Sequence, residues 1–212
     1  MGREILLTPE ELYYLGALVQ AKYIDYAYVA AMDDINQNYA LFEKETCAAL
    51  VNAGIIMEDF SGNMEVDSFV LALVQPIFFG ETETTLDICE LGEKNKIDVI
   101  KYHFYDGAIT SVSNEKGKLK IKAVNQDEIQ EAVSKIVPMN YTCTHSEVIP
   151  EIDKETVTRF VVVKSVVVGQ RSNIQAYIEA NGVLCQEKIE GQIESVTKEM
   201  FISDAYSILK GV

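Results

Sequence analysis

The sequence has no tryptophan, and its 212 residues include only four prolines, four cysteines and two histidines. The cysteines are far apart and form no C-x-x-C pair; they are Cys47, Cys89, Cys143 and Cys185. This spacing predicts neither a disulfide framework nor a zinc ribbon. A chain of this length buries enough apolar surface to fold without a disulfide or a structural metal ion. We therefore expect free thiols that pack as small apolar side chains.

Basic residues are scarce beside acidic ones. The chain has 18 lysine and arginine residues against 33 aspartate and glutamate residues, which gives a formal charge of −15. A surface this negative repels phosphate backbones, so we expect no binding to nucleic acid. The charge is interpreted as a source of solubility, and the alternative is an acidic face that meets a basic protein partner.

Long apolar runs are missing as well. No segment approaches the roughly 18 consecutive apolar residues of a membrane-spanning helix, so we expect no stable membrane insertion. The N-terminal residues MGREILLTPEE contain no apolar segment followed by a cleavage site. Leu6 stands where a myristoylation signal has serine or threonine. These features predict a cytoplasmic protein.

Motifs for nucleotide binding and hydrolysis are missing too, among them G-x-x-x-x-G-K-[ST], G-x-G-x-x-G, G-x-S-x-G and H-E-x-x-H. Cys143 and His145 lie close together in a loop, but a metal site would need two further ligands nearby. The acidic side chains of Glu187, Glu190 and Glu194 are interpreted as facing water, because a catalytic carboxylate pair needs a cleft. We predict no catalytic residue, no metal site and no cofactor, and a protein that is not an enzyme.

A helix is predicted near the N-terminus, over residues 8–33. Thr8 is placed at the N-cap and Pro9 at the first helical position, and Glu11 completes a capping box. One helical face carries apolar and aromatic residues at spacings of three and four: Leu12, Leu15, Val19, Tyr23, Tyr26 and Ala30. This face is interpreted as packing into the core, with a partner-binding stripe as the alternative.

The next segments predict a winged-helix-like N-terminal corner. A second helix over 38–53 is closed by Gly54, since glycine commonly ends helices in the left-handed conformation. A short hairpin follows in IIMEDFSGNMEV. Asp67 then caps a helix over 67–75, and Pro76 is expected to end it.

The hairpin segment DFSGNMEVD has the composition of a calcium loop but not its spacing. An EF-hand loop has glycine at its sixth position and a bidentate glutamate at its twelfth. Counted from Asp59, the glycine is Gly62 at the fourth position, and the twelfth residue is Val70. The segment is therefore interpreted as a turn followed by a helix cap.

Residues 84–124 predict strands, and residues 126–137 predict a helix that follows them. The hairpin signal Asp106-Gly107 and the longer turn Asn114–Gly117 separate the strands. The last of these strands, KLKIKAV, has a basic stripe because its lysines alternate with apolar residues. The stripe is interpreted as a solvated sheet face or a protected edge strand.

The C-terminal part is predicted to repeat the plan of helix, strands and helix. A polar connector with proline separates an N-terminal half, 1–138, from a C-terminal half, 150–212, within a single domain, 1–212. The segment 154–168 stays open, because its valines favour a strand while its spacing and N-cap allow a helix. Further strands and a last helix are predicted over 173–202 and 203–210.

The order of these segments resembles that of EspG-like proteins, which are associated with type VII secretion. The likeness lies in LTPEELYYLGAL, in the corner CAALVNAGIIMEDFSGNMEVDSFVLALVQP and in YHFYDGAITSVSNEKGKLKIKAV. The helix at 126–137 and the terminal IESVTKEMFISDAYSILKG also match the layout of that family. By this resemblance, the chain looks like a shortened member of the Firmicutes type.

The resemblance implies a mixed α+β fold, with two quasi-equivalent halves around a central, mainly antiparallel sheet flanked by helices. It also implies a non-enzymatic cytosolic chaperone or accessory factor that binds a helical type VII secretion substrate and keeps it soluble. Family members bind the end of a helical bundle with sheet and loop surfaces. The resemblance therefore implies that the loop beside the basic stripe contacts the partner. The candidate partner-binding residues are Ser113, Asn114, Glu115, Lys116, Gly117, Lys118 and Lys120.

Two other functions stay as hypotheses. The main alternative is an immunity protein that neutralises a secreted toxin, since the acidic charge suits a basic nuclease toxin. The other is an enzyme with a cryptic site. The expected partner is thus a helical secretion substrate or a toxin domain, and the sequence leaves the oligomeric state open.

Overall fold

The structure, a computed structural model, describes residues 4–30, 32, 38–138, 141–188 and 191–211. Helices and a large antiparallel sheet form an α+β fold, as the sequence predicts. In chain order the elements are β1 (Glu4–Leu7), α1 (Pro9–Leu18), α2 (Tyr26–Val29), α3 (Tyr39–Asn52), β2 (Ile56–Glu58), β3 (Met64–Val66), α4 (Ser68–Phe79), β4 (Thr82–Glu90), β5 (Lys96–Tyr105), β6 (Ala108–Glu115), β7 (Lys118–Val124), α5 (Gln126–Ser134), β8 (Val148–Ile149), β9 (Val157–Val167), β10 (Asn173–Ala180), β11 (Val183–Glu187), β12 (Ile193–Ser195) and α6 (Lys198–Leu209).

The chain divides into two compact units. The first comprises Met1–Glu81 and His103–Ala123, and the second comprises Thr82–Tyr102 and Val124–Val212. These units differ from the predicted halves, because Thr82–Tyr102 precedes the polar connector and yet belongs to the second unit. The single domain with halves at 1–138 and 150–212 stays a prediction.

The first unit places three strands in the order β1-β7-β6 and packs helices α1, α3 and α4 around one apolar core. Strand β1, which was not predicted from the sequence, pairs antiparallel with β7 and places Leu7 opposite Leu119. The fully buried residues of this core include Leu7, Leu12, Leu15, Leu50, Ile56, Val74, Phe78 and Ile121. Each such side chain contributes roughly 1.5–3 kcal/mol through its removal from water.

The N-terminal helix begins as predicted but ends early. The Thr8 N–H donates to the Glu11 carboxylate over 2.7 Å, and the Glu11 N–H donates to the Thr8 hydroxyl over 3.2 Å. This capping box starts α1, which ends at Leu18 instead of continuing over 8–33. Residues 31 and 33, at the far end of the predicted helix, lie outside the described residues.

After the end of α1, backbone N–H groups form hydrogen bonds with an acceptor outside the helix. The N–H groups of Lys22 and Tyr23 both donate to the carbonyl oxygen of Phe78, at 3.0 and 2.9 Å. The predicted stripe therefore does not continue as one face. Tyr26 is 77% exposed, whereas Tyr28, which was not assigned to the stripe, is only 6% exposed.

The predicted order of helix, hairpin and helix is present as α3, β2–β3 and α4. Gly54 has a φ of 68°, as expected of a residue that closes a helix, and the Asp67 side chain caps α4. Helix α4 continues through Pro76 to Phe79 and so exceeds the predicted 67–75. Pro76 is buried and lacks a backbone N–H, so the helix loses one hydrogen bond at this position. The Pro76 carbonyl still accepts the Gly80 N–H over 3.1 Å, which keeps the last turn helical.

Strands β4, β5, β6 and β7 lie close to the predicted strands of 84–124, with Asp106-Gly107 as the turn between β5 and β6. Helix α5 has a capping box formed by Asn125 and Glu128, and it ends at Ser134, earlier than the predicted 137. Alternation and capping are local patterns, and for this reason they located these elements.

The second unit orders its strands as β5-β4-β9-β10-β11-β12-β8, where β5 contributes its residues up to Tyr102. The open segment 154–168 is a strand, β9, preceded by a short 3-10 turn at Lys154–Thr156. Strand β9 pairs antiparallel with β4 on one side and with β10 on the other. These two ladders satisfy its backbone, so the valine preference for strands outweighs the helical spacing.

Helix α6 begins earlier than predicted. Strand β12 ends at Ser195, and the Thr197 hydroxyl accepts the N–H of Met200 over 3.2 Å, so that α6 starts at Lys198. The predicted strand up to 202 and helix over 203–210 are corrected accordingly. The residues that fix this helix share one buried face and are Phe201, Ala205, Ile208 and Leu209.

Candidate protein-binding surfaces

One face of the sheet in the second unit is covered by helices. Helix α6 packs against β4, β9 and β10, and α5 packs against α6. The Thr84 hydroxyl of β4 donates to the Leu209 carbonyl of α6 over 3.0 Å. The side chains on this covered face are almost completely buried and include Leu86, Val161, Val163 and Tyr177.

On β9 and β10, the opposite face carries mostly apolar side chains that are partly or fully open to solvent. Side chains alternate along a strand, so the residues between the buried ones point to this second face. We call five of them, on β9 and β10, the apolar strip: Phe160, Val162, Ile174, Ala176 and Ile178. Phe160 stands opposite Ile178 in register, and Ile174 is 56% exposed while Phe160 is 37% exposed.

Charged side chains border the apolar strip on β4 and β5, and Lys164 of β9 stands opposite Ile174 in register. The Lys101 ammonium lies 3.0 Å from the Glu83 carboxylate, and both side chains are mostly buried. Burial raises the pKa of Asp87, although the positive charges of Lys101 and Lys164 act in the opposite direction. Asp87 stands opposite Val162 in register, which places it directly beside the strip. An apolar centre with a polar border is the usual composition of a protein interface.

The covered face holds the strands of the strip in place. The Arg159 guanidinium donates to Glu179 from Nε over 2.9 Å and also from Nη2, and Nη2 donates to the Ile136 carbonyl over 2.7 Å. The two charged side chains are 15% and 12% exposed. This ion pair links β9 to β10 on the covered face and stabilises the two strands that carry the apolar strip.

The predicted binding residues surround the β6–β7 hairpin of the first unit. The turn has two residues, Lys116 and Gly117, with φ of 53° and 82°, instead of the predicted four-residue turn. Such left-handed pairs suit a two-residue hairpin, and glycine adopts them without strain. The Asn114 side-chain oxygen accepts the Gly117 N–H over 3.1 Å.

The basic stripe on β7 is partly neutralised. Lys120 lies 3.4 Å from Glu4 and 3.2 Å from Glu115, whereas Lys118 is exposed. Strand β7 lies between β1 and β6, so the edge-strand interpretation is corrected. No large apolar side chain of Ser113–Lys120 is exposed, because Leu119 is buried. A partner contact at this hairpin stays a prediction.

A cavity of about 350 Å³ in the second unit contains both residues of the Cys-x-His pair. The Cys143 thiol donates to the His145 carbonyl over 3.2 Å, and the imidazole Nε2 contacts the Glu147 carboxylate in an exposed position. Within the described part of the chain, no three His, Cys, Asp or Glu side chains are grouped so as to hold a metal ion.

The acidic residues near the C-terminus do not form a carboxylate pair. Glu187 stands opposite Ile193, and Glu194 stands opposite Gln186. These two rungs are adjacent, so the two glutamates point to opposite faces of the sheet. Glu190, the third member of the predicted cluster, lies outside the described residues.

The apolar strip was not predicted from the sequence. Its residues lie on two strands, and only the register of β9 with β10 shows that they are neighbours. A usable signal was the run FVVVKSVV, in which both faces of a strand are apolar. Such a run indicates a second covered face, but it does not say what covers it.

Of the comparisons with known proteins, the one with solved structures supports the fold. No protein-family model matches the chain, and no curated protein matches it significantly. Among solved structures, the chain is similar to the Mycobacterium tuberculosis type VII secretion system chaperone EspG5, seen in complex with the PE25-PPE41 dimer. The TM-score is 0.60 at 9% sequence identity, and the match covers 98% of this chain and 95% of that chain.

Identity this low shows the fold alone, and the Firmicutes-type assignment stays a prediction. In the described residues, no helix is both long and apolar enough to cross a membrane. The architecture predicted from the segment order is therefore present, and the chain has an EspG-like α+β fold.

Proposed function

We propose that this protein is a non-enzymatic, cytoplasmic chaperone or accessory factor that binds a helical substrate of a type VII secretion system. The observation that carries the proposal is the apolar strip, which leaves Phe160 and Ile174 exposed on a sheet whose other face is covered. Exposed apolar area is costly in water, and a bound partner would remove that cost.

The dimensions of the apolar strip suit a helix. The strip spans two strands about 4.8 Å apart, and residues 174–178 extend it by about 13 Å along β10. An α-helix is about 10 Å wide with its side chains and rises about 5.4 Å per turn, so the strip matches roughly two turns of an amphipathic helix. The similar EspG5 structure contains a bound PE25-PPE41 dimer, which supports a protein client for this chain.

The experiment is co-expression of the tagged protein with candidate helical secretion substrates from its native host. We expect a substrate that is insoluble alone to become soluble and to copurify with the wild-type protein. Ile174→Asp should greatly reduce copurification, because a bound partner would have to desolvate the new carboxylate together with Lys164, which stands opposite position 174. The matched control is Ile97→Asp on β5, since Ile97 is similarly exposed at 67% but lies outside the strip.

Two results would contradict this function. If Ile174→Asp and Ile97→Asp copurified with the substrate equally well, the strip would not be the binding surface. If instead the protein bound a folded toxin domain and blocked its activity, the immunity function would replace the chaperone. The immunity function remains an alternative because the formal charge of −15 would suit a basic toxin.

A further inference from the structure

A second exposed apolar feature lies in the first unit, on the β2–β3 hairpin, which we call the Phe60 hairpin (Ile56–Val66). The Phe60 side chain at its tip is completely exposed, and Met57 on its outer side is 56% exposed. A solvated phenylalanine at the end of a turn contributes nothing to the core. A single exposed side chain would need no explanation, but this one short hairpin exposes two large apolar side chains, Phe60 and Met57, and extended exposed apolar surface is typical of interaction sites.

The turn that presents Phe60 is held by a dense set of hydrogen bonds. The Asp59 carboxylate accepts the N–H of Ser61 over 2.7 Å and the N–H of Asn63 over 2.8 Å. The Asn63 side-chain amide donates to the same carboxylate over 3.1 Å. Gly62 has a φ of 84°, a conformation in which glycine is free of strain. These contacts fix the backbone of the turn that carries Phe60.

The base of the hairpin is anchored in the apolar core of the first unit. Ile56 is fully buried, and Met64 and Val66 pack against the same core cluster. The Asp67 N–H donates to the Ile55 carbonyl over 2.9 Å and closes the base. One side of the hairpin thus belongs to the core, while Met57 and its register partner Glu65 lie on the outer side.

The charge around Phe60 selects the kind of partner. No lysine, arginine or histidine occurs between Lys44 and Lys94, while Glu58 and Glu65 on the hairpin are exposed. A winged-helix corner that binds DNA needs basic side chains for the phosphates, and anionic lipid surfaces need them as well. This corner offers carboxylates and an aromatic ring instead, which suits a positively charged protein surface.

We propose that the Phe60 hairpin is a docking point that inserts Phe60 into an apolar pocket of a second protein, with lysine or arginine side chains around that pocket. Aromatic side chains at the centre of an interface often carry much of the binding energy, and surrounding charges fix orientation and association rate. The hairpin and the apolar strip consist of different residues. The proposal therefore stands on its own, whatever binds the strip.

The test starts from the full chain, with the photo-crosslinking residue p-benzoylphenylalanine placed at position 60 and expressed in the native host. Position 26 is the matched control, because Tyr26 is also an exposed aromatic residue of the first unit, at 77%. Mass spectrometry then identifies the cross-linked peptide of the partner. That partner is purified, and its affinity is measured with the wild-type chain, Phe60→Ala, Glu65→Lys and Tyr26→Ala.

We expect a cross-link from position 60 and not from position 26, to an apolar segment flanked by lysine or arginine. Phe60→Ala should weaken the purified complex by about tenfold or more, as the loss of an aromatic anchor does. Glu65→Lys should weaken it most at low salt, and Tyr26→Ala should leave the affinity unchanged. Because Phe60 is fully exposed, Phe60→Ala should keep the wild-type melting temperature.

Several outcomes would overturn the proposal. They are no cross-link from position 60 above that of position 26, a cross-link to a second copy of this chain, and a partner segment without basic residues. Equal affinity of Phe60→Ala and the wild-type chain would do the same, as would recovery of nucleic acid or lipid in place of a protein.

Discussion

Replacing Tyr177 with phenylalanine should stabilise this protein. Tyr177 lies on the covered face of the second unit and is completely buried. Its ring packs edge-to-face on Phe201, with centroids 4.8 Å apart and planes at 80°. Within the residues that the structure describes, its hydroxyl has no hydrogen-bond partner. The ring contact survives in phenylalanine, so the substitution removes only the unpaired hydroxyl.

The size of the gain follows from two opposing contributions. Burying a polar group without a partner costs about 1–3 kcal/mol, which the variant recovers. Loss of one oxygen atom leaves a void on the order of 10 Å³, which costs about 0.2 kcal/mol. We expect Tyr177→Phe to raise the free energy of unfolding by about 1 kcal/mol, and the melting temperature of a chain of this size by about 2–4 °C.

The assay is urea and thermal unfolding at pH 7, with Tyr141→Phe as the matched control. The Tyr141 hydroxyl accepts the Leu184 N–H over 3.1 Å and donates to the Val196 carbonyl. Its removal leaves buried groups unpaired, and should destabilise the protein by about 1–2 kcal/mol. The reasoning is refuted if Tyr177→Phe also destabilises, since the hydroxyl would then have a partner.

The pH dependence gives a second signature of the same substitution. Burial raises the pKa of Tyr177, and the nearby Asp204 charge raises it further. A tyrosine ionises near pH 10 in the unfolded chain, so this shift stabilises the fold fully below about pH 10 and is lost at higher pH. Phenylalanine has no proton to lose. The advantage of Tyr177→Phe over the wild-type chain should therefore grow above about pH 10.

Glu179→Leu should cost about 3–5 kcal/mol because it leaves the charge of Arg159 mostly buried without its carboxylate partner, and the double variant with Arg159→Met should recover much of that loss in urea titrations. Gly80→Ala should destabilise the protein by about 1–3 kcal/mol, because the new Cβ would lie 2.4 Å from the Pro76 carbonyl oxygen and 2.6 Å from that of Phe104. The control Gly92→Ala should be nearly neutral, because its Cβ would lie 4.0 Å from the nearest atom. Burial raises the pKa of Tyr102 to about 12. In a pH titration followed by absorbance at about 295 nm, Tyr102 should therefore ionise at a higher pH than the exposed tyrosines. The stability that this shift contributes should be lost as the pH rises from about 10 through 12.

Local signals predicted much of this fold. Thr8 with Glu11, and Asn125 with Glu128, are capping boxes in the sequence and in the structure. The strict alternation of KLKIKAV placed β7 correctly. These patterns need only residues three or four apart, or neighbours along one strand, so no tertiary information is required to interpret them.

The errors arose where distant residues decide the conformation. The N-terminal helix ends at Leu18 in a turn with Gln20 in the left-handed conformation, and the Lys22 and Tyr23 N–H groups then bond to Phe78, more than fifty residues away in the sequence. Strand β1 exists because β7 supplies its ladder, which a four-residue segment cannot supply for itself. Helix α4 passes Pro76 because burial of its apolar residues outweighs the loss of one hydrogen bond.

The apolar strip could not be predicted from the sequence, because its residues become neighbours only through the register of β9 with β10. Strand β9 is apolar on both faces, a composition typical of strands that are covered on both sides. Helix α6 covers one of these faces, while Phe160 on the other remains 37% exposed. A sequence that encodes two apolar faces, in a unit whose helices cover one, favours a partner as the second cover. The strip therefore combines apolar composition with partial exposure, which is the combination that the proposed binding of a protein partner requires.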